Sequence, residues 1–267
     1  MRLTALVAAA AMLLGGCSTT VDGGADSSGG AGGSAPSAGL PDGDAGERLD
    51  AVLAGLRRGS DAVTTFQVVE VPKDPGAVDT ETSMIRRVEG GYEYHKLTER
   101  TPAPGAAAPS RAGSRSDERP DEEIVVDGQV YARSKAAELE LGAPQGVWFR
   151  ATTDSSSAVL SALATLVASK ETDPLSEFST DLTDLANITT AVDELAPRQL
   201  DGATVRGYRL SYQDGFVKQP TEFWVDDQWR LVRARGGTLG DSERRFSKFN
   251  QPVEIKAPAA SEVYQVK

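Results

Sequence analysis

Residues 222–235 read Glu222-Phe223-Trp224-Val225-Asp226-Asp227-Gln228-Trp229-Arg230-Leu231-Val232-Arg233-Ala234-Arg235. Two runs rich in aromatic and β-branched residues flank Asp226-Asp227-Gln228, whose side chains favour a turn. The pattern predicts a strand over Glu222 to Val225, a tight turn, and a second strand over Trp229 to Arg235. Strands joined by tight turns are antiparallel neighbours. The same grammar continues on both sides. Upstream, Thr189 to Leu200 and Val205 to Tyr212 flank Asp201-Gly202, and downstream a last strand is expected over Arg244 to Ile255.

Further upstream the period of two recurs. Val63 to Val71 is one run, and Thr80 to Glu89 and Tyr92 to Glu99 flank Gly90-Gly91, a hairpin signature. Ile124-Val125-Val126, an Asp127-Gly128 turn, Val130-Tyr131-Ala132 and Val147-Trp148-Phe149 complete about eleven strands. Three amphipathic helices interrupt them. In Glu47 to Gly59, Leu49, Val52, Leu53 and Leu56 share a face, Arg57 and Arg58 suit the negative C-terminal end, and Gly59 is the expected stop. Asp154 or Ser155 is expected to cap a helix with Val159, Leu160, Leu163, Leu166 and Val167 on its apolar face. Asp173 caps the next, with Pro174 at its first position and Leu175, Phe178, Leu182 and Leu185 along one side. So large a sheet needs one face covered, and the helices can supply the cover. The fold class is α+β, a large curved antiparallel sheet with helices on its concave face.

The N-terminus reads as an address. Arg2, an apolar run from Leu3 to Leu14 and small residues before Cys17 make a secretory signal. These twelve residues span only roughly 18 Å as a helix, too short for a bilayer core of about 30 Å. Leu14-Gly15-Gly16-Cys17 resembles the bacterial lipobox, which implies cleavage after residue 16 and a diacylglyceryl and palmitate-bearing Cys17. Residues 17–46, mostly Gly, Ser, Ala and Asp, are expected to form a flexible tether, and 47–267 the folded domain. Thr101 to Pro120, without apolar periodicity, is expected to be a mobile loop insertion. Cys17 is the sole cysteine, so stability must come from an apolar core, feasible at 39% hydrophobic residues. The formal net charge of −11 argues against nucleic acid, whose binding needs Lys and Arg to displace counterions. Expected localisation is the cell membrane, on its extracytoplasmic face, through the Cys17 anchor.

The order of tether, helix, strands, helix pair and strands resembles the LolA-like lipoproteins, particularly the LppX/LprG type. Beside Glu222 to Arg233, the residues that carry the likeness are Phe246-Ser247-Lys248-Phe249-Asn250-Gln251-Pro252-Val253-Glu254-Ile255-Lys256-Ala257-Pro258, then Glu262-Val263. Asp201-Gly202 before Tyr208-Arg209-Leu210 adds to it. The resemblance implies a half-open β-barrel whose concave face, partly closed by helices, encloses an apolar cavity. It also implies a periplasmic or envelope role in lipid binding and lipid transport. The partners it implies are a membrane lipid or glycolipid, with an envelope export protein as a further one.

Alternation nominates Phe66 with Val68, Met84 with Val88, Tyr92 with Tyr94, Trp148, Tyr208 with Leu210, and Trp224 as walls of that cavity. The same residues would serve equally as an ordinary sheet–helix core. Arg233 and Arg235 share a strand face, with Arg244-Arg245 nearby, and suit an anionic headgroup or a solvated surface. His95, the sole histidine, lies between Tyr94 and Lys96 without a serine elbow or second imidazole. Asp226-Asp227 and Glu122-Glu123 are accounted for by turns and solvation. No catalytic residue, metal site or cofactor is expected. The alternative to a lipid carrier is an envelope sensor or scaffold that binds a protein partner, with the concave face filled by side chains.

Overall fold

The computed structural model describes residues 39–72, 78–101, 120–169, 172–213, 215, 217–240 and 242–265. The leader, Cys17, most of the tether and residues 102–119 of the expected loop lie outside them. Eleven strands form one antiparallel sheet. They are β1 (Thr65–Pro72), β2 (Val78–Val88), β3 (Gly91–Thr101), β4 (Glu122–Val126), β5 (Gln129–Arg133), β6 (Phe149–Ala151), β7 (Thr189–Leu200), β8 (Ala203–Tyr212), β9 (Thr221–Val225), β10 (Leu231–Gly236) and β11 (Ser242–Ser247). Spatial order is β6-β5-β4-β3-β2-β1-β11-β10-β9-β8-β7. The chain thus meanders outward from β1 to one edge and returns from the other edge to close β11 against β1. Edge strands β6 and β7 do not pair, so the curved sheet stays open.

Four α-helices occur among the described residues: α1 (Ala45–Asp61), α2 (Lys135–Leu141), α3 (Ala158–Ala168) and α4 (Pro174–Asp184). Helices α3 and α4 lie in the connection between the two sheet edges. Ladder register sorts the side chains. Phe66 faces Ile85, Ile85 faces Tyr94, Tyr94 faces Val125, Val125 faces Val130, and Val130 faces Ala151. Directly opposed residues share a face, so this row is one side of the sheet. Val68 opposite Phe246 extends it, and Ala234, Phe223 and Tyr208 carry it toward β8. These residues join Leu49, Val52, Leu53 and Leu56 of α1, Leu160 and Leu163 of α3, and Leu175, Phe178 and Leu182 of α4 in one core. This helix-covered side is called the inner face below.

The structure revises several local expectations. Helix α1 runs through Gly59 to Asp61, and Gly59 is buried within it. Its role is steric: a Cβ there would lie 2.2 Å from the Trp229 carbonyl oxygen, and one at Gly55 would lie 2.2 Å from the Trp229 ring. Trp229 is not a strand residue. Its backbone is left-handed (φ 63°), and β10 begins at Leu231. Helix α3 is capped by Ser157, whose Oγ accepts from Leu160 N, because Ser155 Oγ is engaged by Thr152 N. The strand expected over 147–149 lies instead at Phe149–Ala151 (β6). Helix α2 was not expected, although Ser134 caps it and the left-handed Gly142 ends it.

The strand expected over 244–255 stops at Ser247. Lys248 and Asn250 adopt left-handed backbone, and Pro252 has no N–H to donate. Asn250 instead clamps the α1–β1 junction: its Oδ1 accepts from Thr64 N at 2.8 Å, and its Nδ2 donates to the Ala62 carbonyl at 3.0 Å. Beyond it, Val253, Ile255 and Val263 pack on Ile124, Val126, Tyr131 and Trp148, covering part of the outer face.

Candidate functional site: a cleft on the inner face

A cleft of about 150 Å³ lies on the inner face. Strands β1, β2 and β3 supply Val68, Ile85, Tyr92 and Tyr94 as its floor, and α4 contributes Pro174 and Glu177. The rings of Tyr92 and Tyr94 stack at 5.9 Å. Polar groups gather on the side away from the core: Glu70, Glu81, Ser83, Lys96 and Arg244. Arg244 Nε donates to Glu70 at 3.0 Å, and its Nη1 reaches Glu177 at 3.4 Å. An apolar floor below a rim of paired charges is the chemistry of an amphiphile site.

A buried polar triad stands beside the floor. Glu123 on β4 is 2% exposed. Tyr94 Oη donates to its Oε1 at 2.5 Å, and Lys96 Nζ lies 2.5 Å from its Oε2. Register forces the meeting, since Lys96 faces Glu123 across the β3–β4 ladder and Tyr94 is two residues away on the same face. Burial first, then the Glu123 charge and hydrogen bond, push the Tyr94 phenol far above its ordinary range. Burial, followed by the charges of Asp173, Glu177 and Glu123, pushes the Tyr92 phenol up to about 12. Both tyrosines are therefore neutral donors at physiological pH.

Arg87 fixes α4 over this region. Its Nε and Nη2 donate to the two oxygens of Asp173, at 2.9 and 3.0 Å, and Nη2 also reaches Ser60 Oγ and Ser176 Oγ. Nη1 donates to the Ser60 and Val63 carbonyls. Asp173 in turn accepts from Leu175 N and Ser176 N as the α4 cap. One guanidinium thus ties the α1 C-terminus, β2 and the α4 N-terminus together.

Of the ten nominated cavity residues, Val68, Tyr92 and Tyr94 border the cleft. Phe66, Tyr208 and Leu210 lie on the same face but are packed in the core, each no more than 1% exposed. Tyr208 stacks on Trp229 and packs at a tilt against Phe223. Met84, Val88, Trp148 and Trp224 occupy the other face. Met84 faces Gln67 and His95 across its two ladders, one residue out of step with Ile85. Trp148 packs under the C-terminal segment, and Val88 is 42% exposed. Alternation gives the two faces of one strand, but only register relates one strand's faces to another's.

Arg233 and Arg235 are also on the outer face, ion-paired with Glu243 and Glu222 and lying over the Trp224 ring at 5.2 and 5.5 Å. Arg244 and Arg245 point to opposite faces of β11. The expected solvated pair Glu122-Glu123 is split, with Glu123 buried inside and Glu122 outside between His95 (2.7 Å) and Arg133 (2.7 Å). Asp226 does form its turn, but buried, accepting from Gln228 N, Arg230 N and Arg230 Nε. Among the described residues, no cluster of His, Cys, Asp and Glu could hold a metal ion.

Two further clefts, of about 310 and 410 Å³, are wider. The first is lined by the ion-paired side chains Glu222, Arg235, Glu243 and Arg245, and the second lies between residues 152–157 and the apolar Leu141, Phe149, Leu160 and Tyr264. The inner cleft is the candidate because buried charges and apolar floor converge there.

No protein-family model matches the sequence, and no curated protein matches it. Several solved structures are similar to the chain. LprF from Mycobacterium bovis is 14% identical, covers 82% of this chain and 100% of its own, with a TM-score of 0.48. The Mycobacterium tuberculosis lipoprotein LppX is 16% identical over 78% of this chain and 99% of its own, with a TM-score of 0.43. A putative outer membrane lipoprotein-sorting protein domain from Vibrio parahaemolyticus is 9% identical over 77% and 95%, with a TM-score of 0.27. Among the described residues, no helix is long and apolar enough to cross a membrane.

Proposed function

We propose that this chain is a non-enzymatic binding protein of the cell envelope, acylated at Cys17, that takes the acyl portion of a membrane lipid or glycolipid onto its inner face. The reading rests chiefly on the cleft under α4. Its floor of Val68, Ile85, Tyr92 and Tyr94 suits an acyl chain, and Lys96, Arg244 and Ser83 at the rim suit a polar headgroup. At about 150 Å³ the cleft is smaller than the 300–1,000 Å³ of typical small-molecule sites. Entry of a whole chain therefore requires α4 to move outward, and Arg87 with Asp173 holds the closed arrangement.

A second reading, an envelope sensor or scaffold, is favoured by a specific observation: Phe66, Tyr208 and Leu210 fill the inner face instead of lining open space. Native mass spectrometry separates the two. The chain from residue 18 onward, purified from a lipid-containing host, should carry a lipid or take up an offered phospholipid or glycolipid. A ligand-free mass that stays unchanged on offering either class would leave the scaffold reading.

A further inference from the structure

The outer face of β7–β11 carries a charge opposite to that of the chain. Arg198, Arg209, Arg233, Arg235 and Arg245 gather around Trp224, whose ring is covered by Arg198 at 5.1 Å as well as by Arg233 and Arg235. Trp224 is itself fully buried, seated where Gly207 has no side chain: a Cβ there would lie 2.6 Å from the indole nitrogen. Two carboxylates serve this cluster, each shared by two guanidiniums, Glu222 by Arg209 and Arg235 and Glu243 by Arg233 and Arg245. Asp193, opposite Arg209, is the other acid on this face of β7 and β8. Positive charge is left over, and it is accessible: the side chains of Arg209, Arg235 and Arg245 are 46%, 40% and 61% exposed. Arg198 is exposed and has no ion-pair partner among the described residues.

We propose that this face docks on a bilayer surface rich in anionic phospholipid. The arginines span β7 to β11, about 19 Å at the ordinary strand spacing, which matches an extended surface better than a single small anion. At physiological ionic strength charges farther than about 8 Å are largely screened, so the approaching bilayer responds to this patch and not to the net charge of −11.

The test uses the chain from residue 18 onward, which lacks leader and acyl chain and keeps the whole compact unit Leu40–Lys267. It should float with phosphatidylcholine vesicles that contain phosphatidylglycerol, stay behind with phosphatidylcholine alone, and be released by 0.5 M salt. Each arginine near an anionic surface contributes about five-fold, so Arg198→Gln, Arg209→Gln and Arg245→Gln together should lower partitioning about 100-fold. Asp50→Asn with Asp61→Asn on α1 should leave it unchanged. Circular dichroism checks that the triple variant is folded, and the salt release of the parent reads the same patch if it is not. A parent that ignores phosphatidylglycerol, or a folded triple variant that floats as well as the parent, overturns the proposal. So does binding to soluble polyglutamate without binding to vesicles, which would assign the face to an acidic polypeptide.

Discussion

Arg86 and Arg87 are adjacent on β2, each paired with a carboxylate, and removing them should have very different effects. Arg87 faces inward, with its side chain 20% exposed and Asp173 8% exposed. Arg87→Leu would strip Asp173 of both guanidinium bonds and leave the Ser60 and Val63 carbonyls without this donor. Breaking a buried pair from one side costs about 3–5 kcal/mol, and residual exposure places this case near about 3 kcal/mol. For a domain of this size that lowers Tm by roughly 6–12 °C. Arg86 faces outward at 37% exposure, so water can reach Glu93 once the guanidinium is gone, and Arg86→Leu should cost about 1 kcal/mol or less. Arg87→Lys keeps the charge but cannot fork between Asp173 and the carbonyls, and should fall between the two. Urea midpoints at constant m measure all three, and hydrogen exchange should show α4 amides opening first in Arg87→Leu. Equal losses for the Arg86 and Arg87 variants would refute the claim that one guanidinium holds the helix to the sheet.

Gly59→Ala should destabilise the domain by about 2 kcal/mol, although alanine is the better helix former by about 1 kcal/mol, because Trp229 backbone occupies the space; a raised urea midpoint would contradict the packing. Tyr94→Phe leaves buried Glu123 without a hydroxyl donor and should cost about 1–3 kcal/mol, much of it recovered in the double variant with Glu123→Gln. A double-mutant cycle without coupling would count against the triad. Burial would raise the Glu222 pKa, but hydrogen bonds from Arg209 and Arg235 outweigh it and hold the group below the ordinary value of 4.5. A lowered folded pKa stabilises above the unfolded pKa, and that contribution disappears as pH falls through the folded value. Glu222→Gln should therefore be less stable than the parent at pH 7, with the gap closing as pH falls below 4.5; a gap independent of pH would be the wrong result.

Most of the strand grammar was legible because half-buried antiparallel strands alternate and their turns use Asp-Gly, Gly-Gly and Asp-Asp. The α4 start was equally plain, with Asp173 and Pro174 in capping order. Arg87 and Lys96 were not singled out, Glu123 was assigned to solvent, and Arg244 was grouped with the outward-facing Arg233, Arg235 and Arg245, because a charge inside a strand looks like a solvent-facing residue until register places it. Glu123 left one trace: in Glu122-Glu123-Ile124-Val125-Val126 either parity puts a charge beside an apolar neighbour, so one glutamate had to face inward. The same gap in information put Met84, Val88, Trp148 and Trp224 on the wrong side of the sheet. The closing motif showed the opposite limit. Phe246 to Pro258 carried a family likeness, yet the function of Asn250 as a clamp on Ala62 and Thr64 depends on a left-handed backbone that no period announces.

The inner-face reading is tested most directly by where an acyl chain goes. A phospholipid with a photoactivatable group near the end of its acyl chain, irradiated with the chain from residue 18 onward and mapped by peptide mass spectrometry, should label the β1–β3 peptides that contain Val68, Ser83, Tyr92 and Tyr94. Ser83→Trp, which fills the cleft, should abolish that label. Labelling confined to the outer face, or label that persists undiminished in Ser83→Trp, would contradict the account.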